Sequence, residues 1–367
     1  MAKKSTTFAV MAKARAKYGK RLKDKDYQNL LACKSVAEIM VYLKSYTHYA
    51  DALKEVNEHD VHRGMLEKLL RQNLYYDFSS LCSYGTGVGS TFSTYITRKT
   101  EVELLMNYLT MLNSNSSEDF IFRFPAYFDK HASFDLNKIA KAKSYEEFLF
   151  ALEKSPYYST LSMYKADESS ILPLNTIENR LYSIVYKDLF NGINKNCPKS
   201  EQNELLSLFN TILDYENFMR IIRLKKFYNM SPVEIKANLL AFGSLKDSQI
   251  DALCNAENSK EAFEIMSNFR QGYYINKTSD LETNNLVSKI KYKKSVKNIY
   301  YSSSPAAVMI SYMYATEIEL ANIICLIEGA RYNVDSKKIE SLLIYQKWLS
   351  YYLKEVILFG CCKNQVN

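Results

Sequence analysis

The sequence is poor in glycine and proline, the residues that most often build tight turns and interrupt helices. Only 10 of the 367 residues are glycine and only 6 are proline. Tight β-hairpin turns depend on glycine, and proline inside a helix removes a backbone hydrogen bond and breaks the helix. Because helix-forming residues such as Leu, Lys, Glu, Ala and Met are plentiful, the composition predicts long helices and an all-α fold.

Histidine and cysteine are too few and too scattered to predict a metal site or a disulfide framework. The chain has 4 histidines and 7 cysteines, and only Cys361 and Cys362 are adjacent. An odd, unpatterned set of cysteines is typical of a reducing compartment. His59 and His62 form an H-x-x-H pair, but a zinc site needs two further ligands nearby. We therefore interpret the pair as part of a solvated helix start.

The chain also lacks a nucleotide-binding motif. Residues 84–90, YGTGVGS, hold three glycines, but their spacing differs from G-x-G-x-x-G and they follow a helical pattern instead of a strand. No G-x-x-x-x-G-K-[ST] sequence occurs. We interpret residues 84–90 as a loop between helices, and we expect no catalytic residues, no cofactor and no nucleotide hydrolysis by this chain alone.

The most apolar segment, residues 305–330, still carries charge. Glu317, Glu319 and Glu328 lie within it, and each would be costly in lipid. Residues 1–21 are basic and contain no apolar stretch of the length found in secretory signals. We therefore interpret residues 305–330 as a pair of core helices and expect a soluble protein.

The net charge of the chain is moderately positive, at +8. This charge permits contact with an anionic membrane surface or an acidic protein without requiring either. Lysine clusters at residues 223–226 and 289–297 are mixed with aromatic residues, while acidic residues are spread through the whole chain. We interpret the clusters as solvated or protein-facing helix surfaces, and we expect no nucleic-acid binding.

One short pattern occurs three times. The pattern is a short helical segment that begins with a serine and has an acidic residue within the first turn. In each copy, a second and longer helical segment follows it, and then a third helical segment. The opening residues are Ser35, Ser144 and Ser259, which are 109 (144 − 35) and 115 (259 − 144) positions apart. A regular spacing of this size predicts three related helical modules. The predicted modules are residues 1–120, 121–230 and 231–367.

Apolar residues and a tyrosine recur at fixed positions after these serines. We expect the apolar positions to face the core, with Phe148 and Phe150 both buried. The matched residues are Ile39, Phe148 and Phe263 at the fourth position, Val41, Phe150 and Ile265 at the sixth, and Tyr49, Tyr158 and Tyr273 at the fourteenth.

Three long segments, residues 7–31, 214–240 and 317–343, carry the motifs of a known family. The first is a basic helix with alternating Ala and Arg that leads into a leucine pair; the second contains Glu-Asn followed by Arg; the third contains Glu, Asn and a later Glu-x-x-Arg. Together, and in this order, they resemble the C subunits of V-type and A-type rotary ATPases, called d subunits in eukaryotes. The resemblance covers nearly the whole chain.

The resemblance implies a funnel of three related helical modules with a mechanical, non-catalytic role. In such proteins one face receives the central shaft and the other sits on the membrane proteolipid ring, so that rotation is coupled to proton or sodium transport. It implies a peripheral location at the cytoplasmic face of the membrane and no cofactor. The alternative is a cytoplasmic helical-repeat adaptor that binds other proteins outside any rotary ATPase.

The motif helices supply the candidate partner-contact residues. Glu216 with Arg220 and Glu328 with Arg331 are spaced as intrahelical ion pairs, each worth only about 0.2–0.5 kcal/mol, so an intramolecular role for them stays open. The first copy departs from the pattern, because Leu104 stands where the middle copy has asparagine. The candidates are Glu216, Asn217, Arg220, Arg223, Glu319, Asn322, Glu328 and Arg331.

Overall fold

The computed structural model describes residues 2–58, 61–84, 87–114, 126–128, 131–164, 172–275 and 285–345. Within these ranges the chain forms α-helices and short 3₁₀ turns without any strand, which confirms the predicted all-α class. The chain divides into two compact units. Unit 1 consists of Met1–Tyr84 and Ser288–Asn367, and unit 2 of Gly85–Val287.

The helices are numbered in chain order. The first nine are α1 (Ala2–Gly19), α2 (Asp24–Ala32), α3 (Val36–Tyr46), α4 (Ala50–Leu53), α5 (Arg63–Tyr84), α6 (Val88–Asn113), α7 (Leu136–Lys141), α8 (Tyr145–Ala151) and α9 (Tyr158–Leu161). The next eight are α10 (Leu174–Asn196), α11 (Lys199–Tyr228), α12 (Pro232–Ala237), α13 (Asp247–Asn255), α14 (Ser259–Asn268), α15 (Leu286–Tyr301), α16 (Pro305–Arg331) and α17 (Ser336–Leu342).

The most apolar segment forms one continuous helix, α16, so the predicted pair of helices is wrong. Pro305 occupies the first turn, and the Ser304 hydroxyl accepts the N–H of Ala307 there. No further proline or glycine follows before Gly329, and nothing therefore interrupts the helix. Among the described residues α16 is long and apolar enough to cross a membrane, but 72% of its most apolar window is buried within the chain. That burial is typical of a core helix.

The core of unit 1 forms around α16. This helix packs most extensively against α1 and α5 and less extensively against α3 and α17. A Cβ atom on Gly329 would lie 2.1 Å from the Ile339 side chain, so glycine is what allows α17 to approach α16 this closely. Buried members of this core include Ile39 and Leu43 from α3, Leu66 and Leu70 from α5, and Ile323 and Ile327 from α16.

In unit 2, α6 and α10 pack tightly together, and α11 packs against α10 and α14. A Cβ atom on Gly192 of α10 would lie 2.5 Å from the Thr91 side chain of α6. Aromatic rings fill the space beside this crossing, where Tyr95 and Phe209 meet edge to face at 5.8 Å. Close packing of this kind leaves little room for the helices to slide past one another.

The three short helices α3, α8 and α14 begin with the same hydrogen bonds. Ser35 and Ser144 cap α3 and α8 as predicted, but Asn258, and not Ser259, caps α14. Each cap oxygen accepts the N–H of a glutamate three residues later, whose carboxylate accepts the N–H of the residue before the cap. The glutamates are Glu38, Glu147 and Glu261, and the residues before the caps are Lys34, Lys143 and Glu257.

The predicted burial of α8 is confirmed for Phe148 and wrong for Phe150. Phe148 is fully buried and stacks on Tyr108 with ring centroids 4.7 Å apart, whereas Phe150 is 69% exposed. Residues two apart in a helix point to opposite faces, so both could not face the core. The closing tyrosines also differ, because Tyr49 is buried while Tyr158 and Tyr273 are exposed.

The glycine-rich segment and the H-x-x-H pair singled out in the sequence lie at the starts of α6 and α5. Gly87 has a φ of 74° and lies directly before α6, as expected for a loop, but the predicted loop over residues 84–90 is too long, because Tyr84 ends α5 and Val88, Gly89 and Ser90 belong to α6. Residues 85 and 86 lie outside the described residues. The Nδ1 atom of His62 accepts the N–H of Met65 at the start of α5, while His59 and Asp60 lie outside the described residues.

The three-module division of the sequence stays a prediction. Its first boundary, at residue 120, lies outside the described residues, and its second, at residue 230, falls in the turn between α11 and α12.

Candidate functional site

Glu319 is buried in α16 and connects two other parts of unit 1 to that helix. Its Oε2 atom accepts the backbone N–H of Leu22 at 2.8 Å, in the turn between α1 and α2. Its Oε1 atom accepts the hydroxyl of Tyr49 at 2.9 Å, at the start of α4, and lies 3.5 Å from Nε2 of His48. One carboxylate therefore attaches both ends of the α2–α3 segment to the core helix.

The surroundings of Glu319 shift the pKa values of several groups. Burial raises the pKa of Glu319 to about 7, although the Leu22 N–H and the Tyr49 hydroxyl oppose that rise. Burial and the nearby carboxylate raise the pKa of Tyr49. Burial lowers the pKa of His48. The protonation of Glu319 therefore changes near neutral pH, where acid-base groups of active sites also titrate.

A cavity beside Glu319 is too small for a metabolite. Its volume is about 20 Å³, enough for about one water molecule, and His48, Lys17, Arg21 and Tyr312 are among the residues that line it. A nucleotide or small organic substrate needs a pocket of about 300 Å³ or more. The raised pKa of Glu319 thus belongs to a structural carboxylate.

Asn322 lies one turn after Glu319 and fixes the chain that follows α17. Its Nδ2 group donates to the carbonyl of Ile344 at 2.8 Å, and its Oδ1 atom accepts the N–H of Ile344 at 3.0 Å. The same Nδ2 group also donates to the hydroxyl of Tyr27 at 3.1 Å. The amide side chain thereby satisfies buried backbone groups that water cannot reach.

The same two contacts occur in unit 2, on α11. Asp214 is buried, and its Oδ1 atom accepts the backbone N–H groups of Ser244 at 2.7 Å and Leu245 at 3.0 Å. Asn217, three residues later, exchanges two hydrogen bonds with the backbone of Leu240, at 2.9 and 3.0 Å. The shared pattern is a carboxylate followed three positions later by asparagine.

A third buried carboxylate, Glu101, lies on α6. It accepts the N–H of Ser133 and, at 2.6 Å, the hydroxyl of Tyr157, and Arg98 lies 3.4 Å away. Burial, together with this carboxylate, raises the pKa of Tyr157. Leu104 occupies the position where α11 and α16 have asparagine, so α6 has the carboxylate contact without the amide contact.

In each of the helices α6, α11 and α16, the buried carboxylate thus accepts hydrogen bonds from the segment that precedes a short helix. The N–H groups bound by the carboxylates lie just before α2, α7 and α13. The sequence interpretation selected Glu319 only as a partner-contact candidate and did not select Glu101 or Asp214. The spacing shared by Asp214 and Glu319, three positions before an asparagine, was the signal that could have found Asp214.

The other candidates on α11 lie nearer the surface. The Arg220 guanidinium contacts Glu178 at 3.5 Å and donates to the carbonyl of Asn238 at 3.3 Å. Glu216 is half-buried and lies 3.4 Å from the hydroxyl of Tyr186. Arg223 is exposed.

On α16, Glu328 forms an ion pair with Arg63 of α5. Arg331 is exposed, and its guanidinium lies 5.1 Å from the ring centroid of Tyr332. Glu319, Asn322 and the residues that bind them therefore act inside unit 1, whereas Arg331 faces solvent.

The described residues contain no group of three or more His, Cys, Asp or Glu side chains that could hold a metal ion. The buried carboxylates accept N–H and O–H groups of the chain itself. Arranged in this way, they can hold helices together, and the cavity beside Glu319 is smaller than a substrate needs.

The sequence is similar to a group of ATP synthase subunits. A family model described as ATP synthase (C/AC39) subunit matches residues 10–342. Over 352 residues the chain is 23% identical to the A-type ATP synthase C subunit of Methanosphaera stadtmanae, covering 91% of this chain and 86% of that protein. Over 221 residues it is 25% identical to the A-type ATP synthase C subunit of Pyrococcus furiosus, covering 57% of this chain and 58% of that protein.

A shorter match, of 120 residues, is 32% identical to the A-type ATP synthase C subunit of Methanosarcina mazei and covers 32% of this chain and 31% of that protein. The family match includes residues of both units and all three helices that carry a buried carboxylate. The chain therefore belongs to the ATP synthase (C/AC39) subunit family, the C subunits of V-type and A-type rotary ATPases, as the resemblance in its sequence implied.

Proposed function

We propose that this chain is the non-catalytic central-stalk subunit that connects the central shaft of a V/A-type rotary ATPase to the membrane proteolipid ring. Rotation passes through it and is coupled to proton or sodium transport. The observation that carries the proposal is the family match over residues 10–342. A match of this extent includes both units, so the proposal concerns the whole body of the chain.

The buried polar contacts support a role in transmitting torque. A body that passes rotation from one partner to another must not let its helices slide under load. Glu319 and Asn322 tie α16 to segments on either side of it, and Asp214 and Asn217 do the same for α11. Hydrogen bonds in a low-dielectric interior have fixed geometry and add to the resistance of close packing.

The carboxylates already accept hydrogen bonds from the chain itself, which supports a non-catalytic role. General acid-base or nucleophilic catalysis requires a reactive group within reach of bound substrate. Glu319, Glu101 and Asp214 instead bind backbone N–H and hydroxyl groups of their own unit. The energy for rotation then comes from nucleotide hydrolysis by other subunits.

Arg223 and Arg331 are the candidates best placed for contact with the shaft or the ring. Both are exposed at the ends of long helices, whereas Asn217, Glu319 and Asn322 are buried. A stable contact with either partner requires a buried area above about 1,000 Å², so neighbouring residues must take part. We place the protein at the cytoplasmic face of the membrane as a peripheral component.

Reconstitution of the ATPase with and without this chain tests the proposal. We expect the complex without the chain to hydrolyse ATP through its soluble head but to lose ATP-driven ion uptake into vesicles, because the shaft no longer reaches the ring. The isolated chain should not hydrolyse ATP. Equal ion uptake with and without the chain, or a stable soluble complex that excludes the shaft and the ring, would refute the proposal.

Site-specific cross-linking tests the exposed candidates. Arg331→Cys, coupled to a photoactivated linker, should cross-link to a shaft or ring subunit in the assembled complex. Lys54→Cys is a matched control, because its side chain is 71% exposed in the same unit but lies outside the motif helices. Equal cross-linking from both positions would remove Arg331 from the contact surface.

A further inference from the structure

The turn between α11 and α12 exposes apolar side chains beside basic ones. We name residues 223–236 the α11–α12 corner. Phe227 is 70% exposed, Tyr228 58% and Val233 79%. Single exposed apolar residues are common on soluble proteins, but three within seven positions, one of them phenylalanine, are characteristic of a contact surface.

The backbone conformation of the turn keeps the side chains of this corner exposed. Asn229 adopts a left-handed conformation, with φ of 48°, and ends α11. Ser231 then caps α12, and the carboxylate of Glu234 accepts the N–H and the hydroxyl of Ser231 at 2.8 and 2.7 Å. Ile235 is fully buried on the inner side of the corner. The outward apolar side chains are thus held in place by a capped turn and are not needed for the core.

Unit 1 has the same feature at the turn between α16 and α17. We name residues 331–338 the α16–α17 corner, and every residue in it is exposed. Asn333 has a φ of 51° and Tyr332 is 65% exposed. Asp335 caps α17 by accepting the N–H of Lys338.

A basic side chain lies over the aromatic ring at both corners. The Lys226 ammonium lies 5.6 Å from the ring centroid of Phe227, and the Arg331 guanidinium lies 5.1 Å from that of Tyr332. Among the described residues, no carboxylate forms an ion pair with Lys226, Arg331 or Arg223. Each corner therefore presents uncompensated positive charge next to an exposed ring.

This combination fits a lipid surface. Aromatic rings at headgroup depth with Lys or Arg beside them are typical of membrane interfaces. Aromatic residues and Arg are also enriched at protein interfaces, but lysine, here Lys226, is depleted there. The positive charge complements the anionic headgroups of a bilayer, each basic residue adding about 1 kcal/mol of attraction.

We propose that the α11–α12 corner of unit 2 and the α16–α17 corner of unit 1 are each, taken separately, a binding site for the surface of an anionic bilayer. The rings of Phe227 and Tyr332 enter the headgroup layer, and Lys226 and Arg331 meet the lipid phosphates. The inference rests on the proposed function only because that function brings the chain to a membrane. It adds direct lipid contact to the contact with protein subunits.

Vesicle flotation of the purified full-length chain tests the inference. We expect the chain to float with phosphatidylcholine vesicles that contain phosphatidylglycerol and to remain unbound with phosphatidylcholine alone. Lys226→Gln and Arg331→Gln should each weaken binding by about fivefold, the equivalent of about 1 kcal/mol. Phe227→Ser combined with Tyr332→Ser should weaken it several-fold at unchanged melting temperature, because both side chains are exposed.

Phe150→Ser is the matched control. Phe150 is 69% exposed and the Lys138 ammonium lies 5.9 Å from its ring centroid, but it lies on α8, away from both corners in the sequence. This variant should bind vesicles as the unchanged chain does. Equal loss of binding in Phe150→Ser would show that any exposed ring suffices and would overturn the inference.

Co-purification with the ATPase separates this inference from the proposed function. A chain that assembles with ring and shaft subunits but does not bind anionic vesicles overturns the lipid contact alone. Corner variants that bind anionic vesicles as tightly as the unchanged chain also overturn it, whether or not they assemble with the ATPase. Vesicle binding without any co-purifying ATPase component would instead refute the proposed function.

Discussion

The hydroxyl of Tyr49 donates to the carboxylate of Glu319 at 2.9 Å, although the two residues are 270 positions apart. The same carboxylate accepts the N–H of Leu22. This buried side chain is one of the groups that join an early and a late part of unit 1, together with Asn322, which donates to Tyr27. We therefore expect the stability of the unit to depend on Glu319.

Replacing Glu319 should destabilise unit 1. Glu319→Ala leaves the Leu22 N–H and the Tyr49 hydroxyl without their acceptor in a buried place, and we expect a loss of about 2–4 kcal/mol in the free energy of unfolding. Urea denaturation measures this loss. Glu103→Ala is the control, since that side chain is 47% exposed, and it should stay within about 0.5 kcal/mol. Similar losses for both variants would contradict the assigned role.

The pKa of Glu319 predicts a specific pH dependence. Because burial raises this pKa from 4.5 to about 7, the folded chain holds the proton more tightly than the unfolded chain does. Its contribution to stability is therefore fully present below pH 4.5 and is lost as the pH rises to about 7, a change on the order of 3 kcal/mol.

The variant Glu319→Gln isolates this effect. His48 acts in the opposite direction, because burial lowers its pKa from 6.5 and its contribution is lost as the pH falls. The unfolding free energies of the chain with Glu319 and of Glu319→Gln are compared at each pH in a His48→Asn background, because Nε2 of His48 lies 3.5 Å from Oε1 of Glu319 and subtraction alone would not cancel the His48 contribution. A difference that stays constant between pH 4.5 and pH 7 would show that Glu319 does not titrate in this range.

Asn217 should matter for the segment after α12. Asn217→Leu leaves both the N–H and the carbonyl of Leu240 without a side-chain partner, at a cost of about 2–4 kcal/mol. The Leu240 amide should then exchange its hydrogen with solvent faster than in the unchanged chain. Asn194→Leu, at an exposed position of α10, is the control and should leave that exchange rate unchanged. Unaltered exchange in Asn217→Leu would contradict the prediction.

The two phenylalanines of α8 should respond differently to truncation. Phe148→Ala removes a fully buried ring that stacks on Tyr108 and should cost about 3–5 kcal/mol. Phe150→Ala removes an exposed ring and should change stability by no more than about 0.5 kcal/mol. Thermal unfolding of both variants gives the comparison, and equal shifts in melting temperature would show that the buried face of α8 is assigned wrongly.

Local features of the fold could be predicted from the sequence. The scarcity of glycine and proline indicated the all-α class, and Ser35 and Ser144 identified two helix starts because a cap depends on residues only three positions apart. The third start was misplaced by one residue. Asparagine caps a helix as well as serine does, and Asn258 precedes Ser259 directly.

Contacts between distant segments could not be predicted in the same way. Glu101 has no asparagine three positions later to mark it, and the roles of Glu101 and Asp214 come from Ser133 and Ser244, which lie 32 and 30 positions away. Glu216 stood beside Asn217 and was selected in place of Asp214, which is the residue that is buried. Adjacency in sequence was a poor guide because α-helical neighbours point in different directions.

By itself, the sequence determined the all-α class, two of the three predicted helix caps and the family, because these depend on residue types and short spacings. Only the tertiary structure decided which carboxylates are buried, which N–H groups they hold and which face of α8 meets the core. Those outcomes depend on where segments far apart in the chain meet. Burial then fixes both the hydrogen-bond partner and the pKa of a side chain such as Glu319.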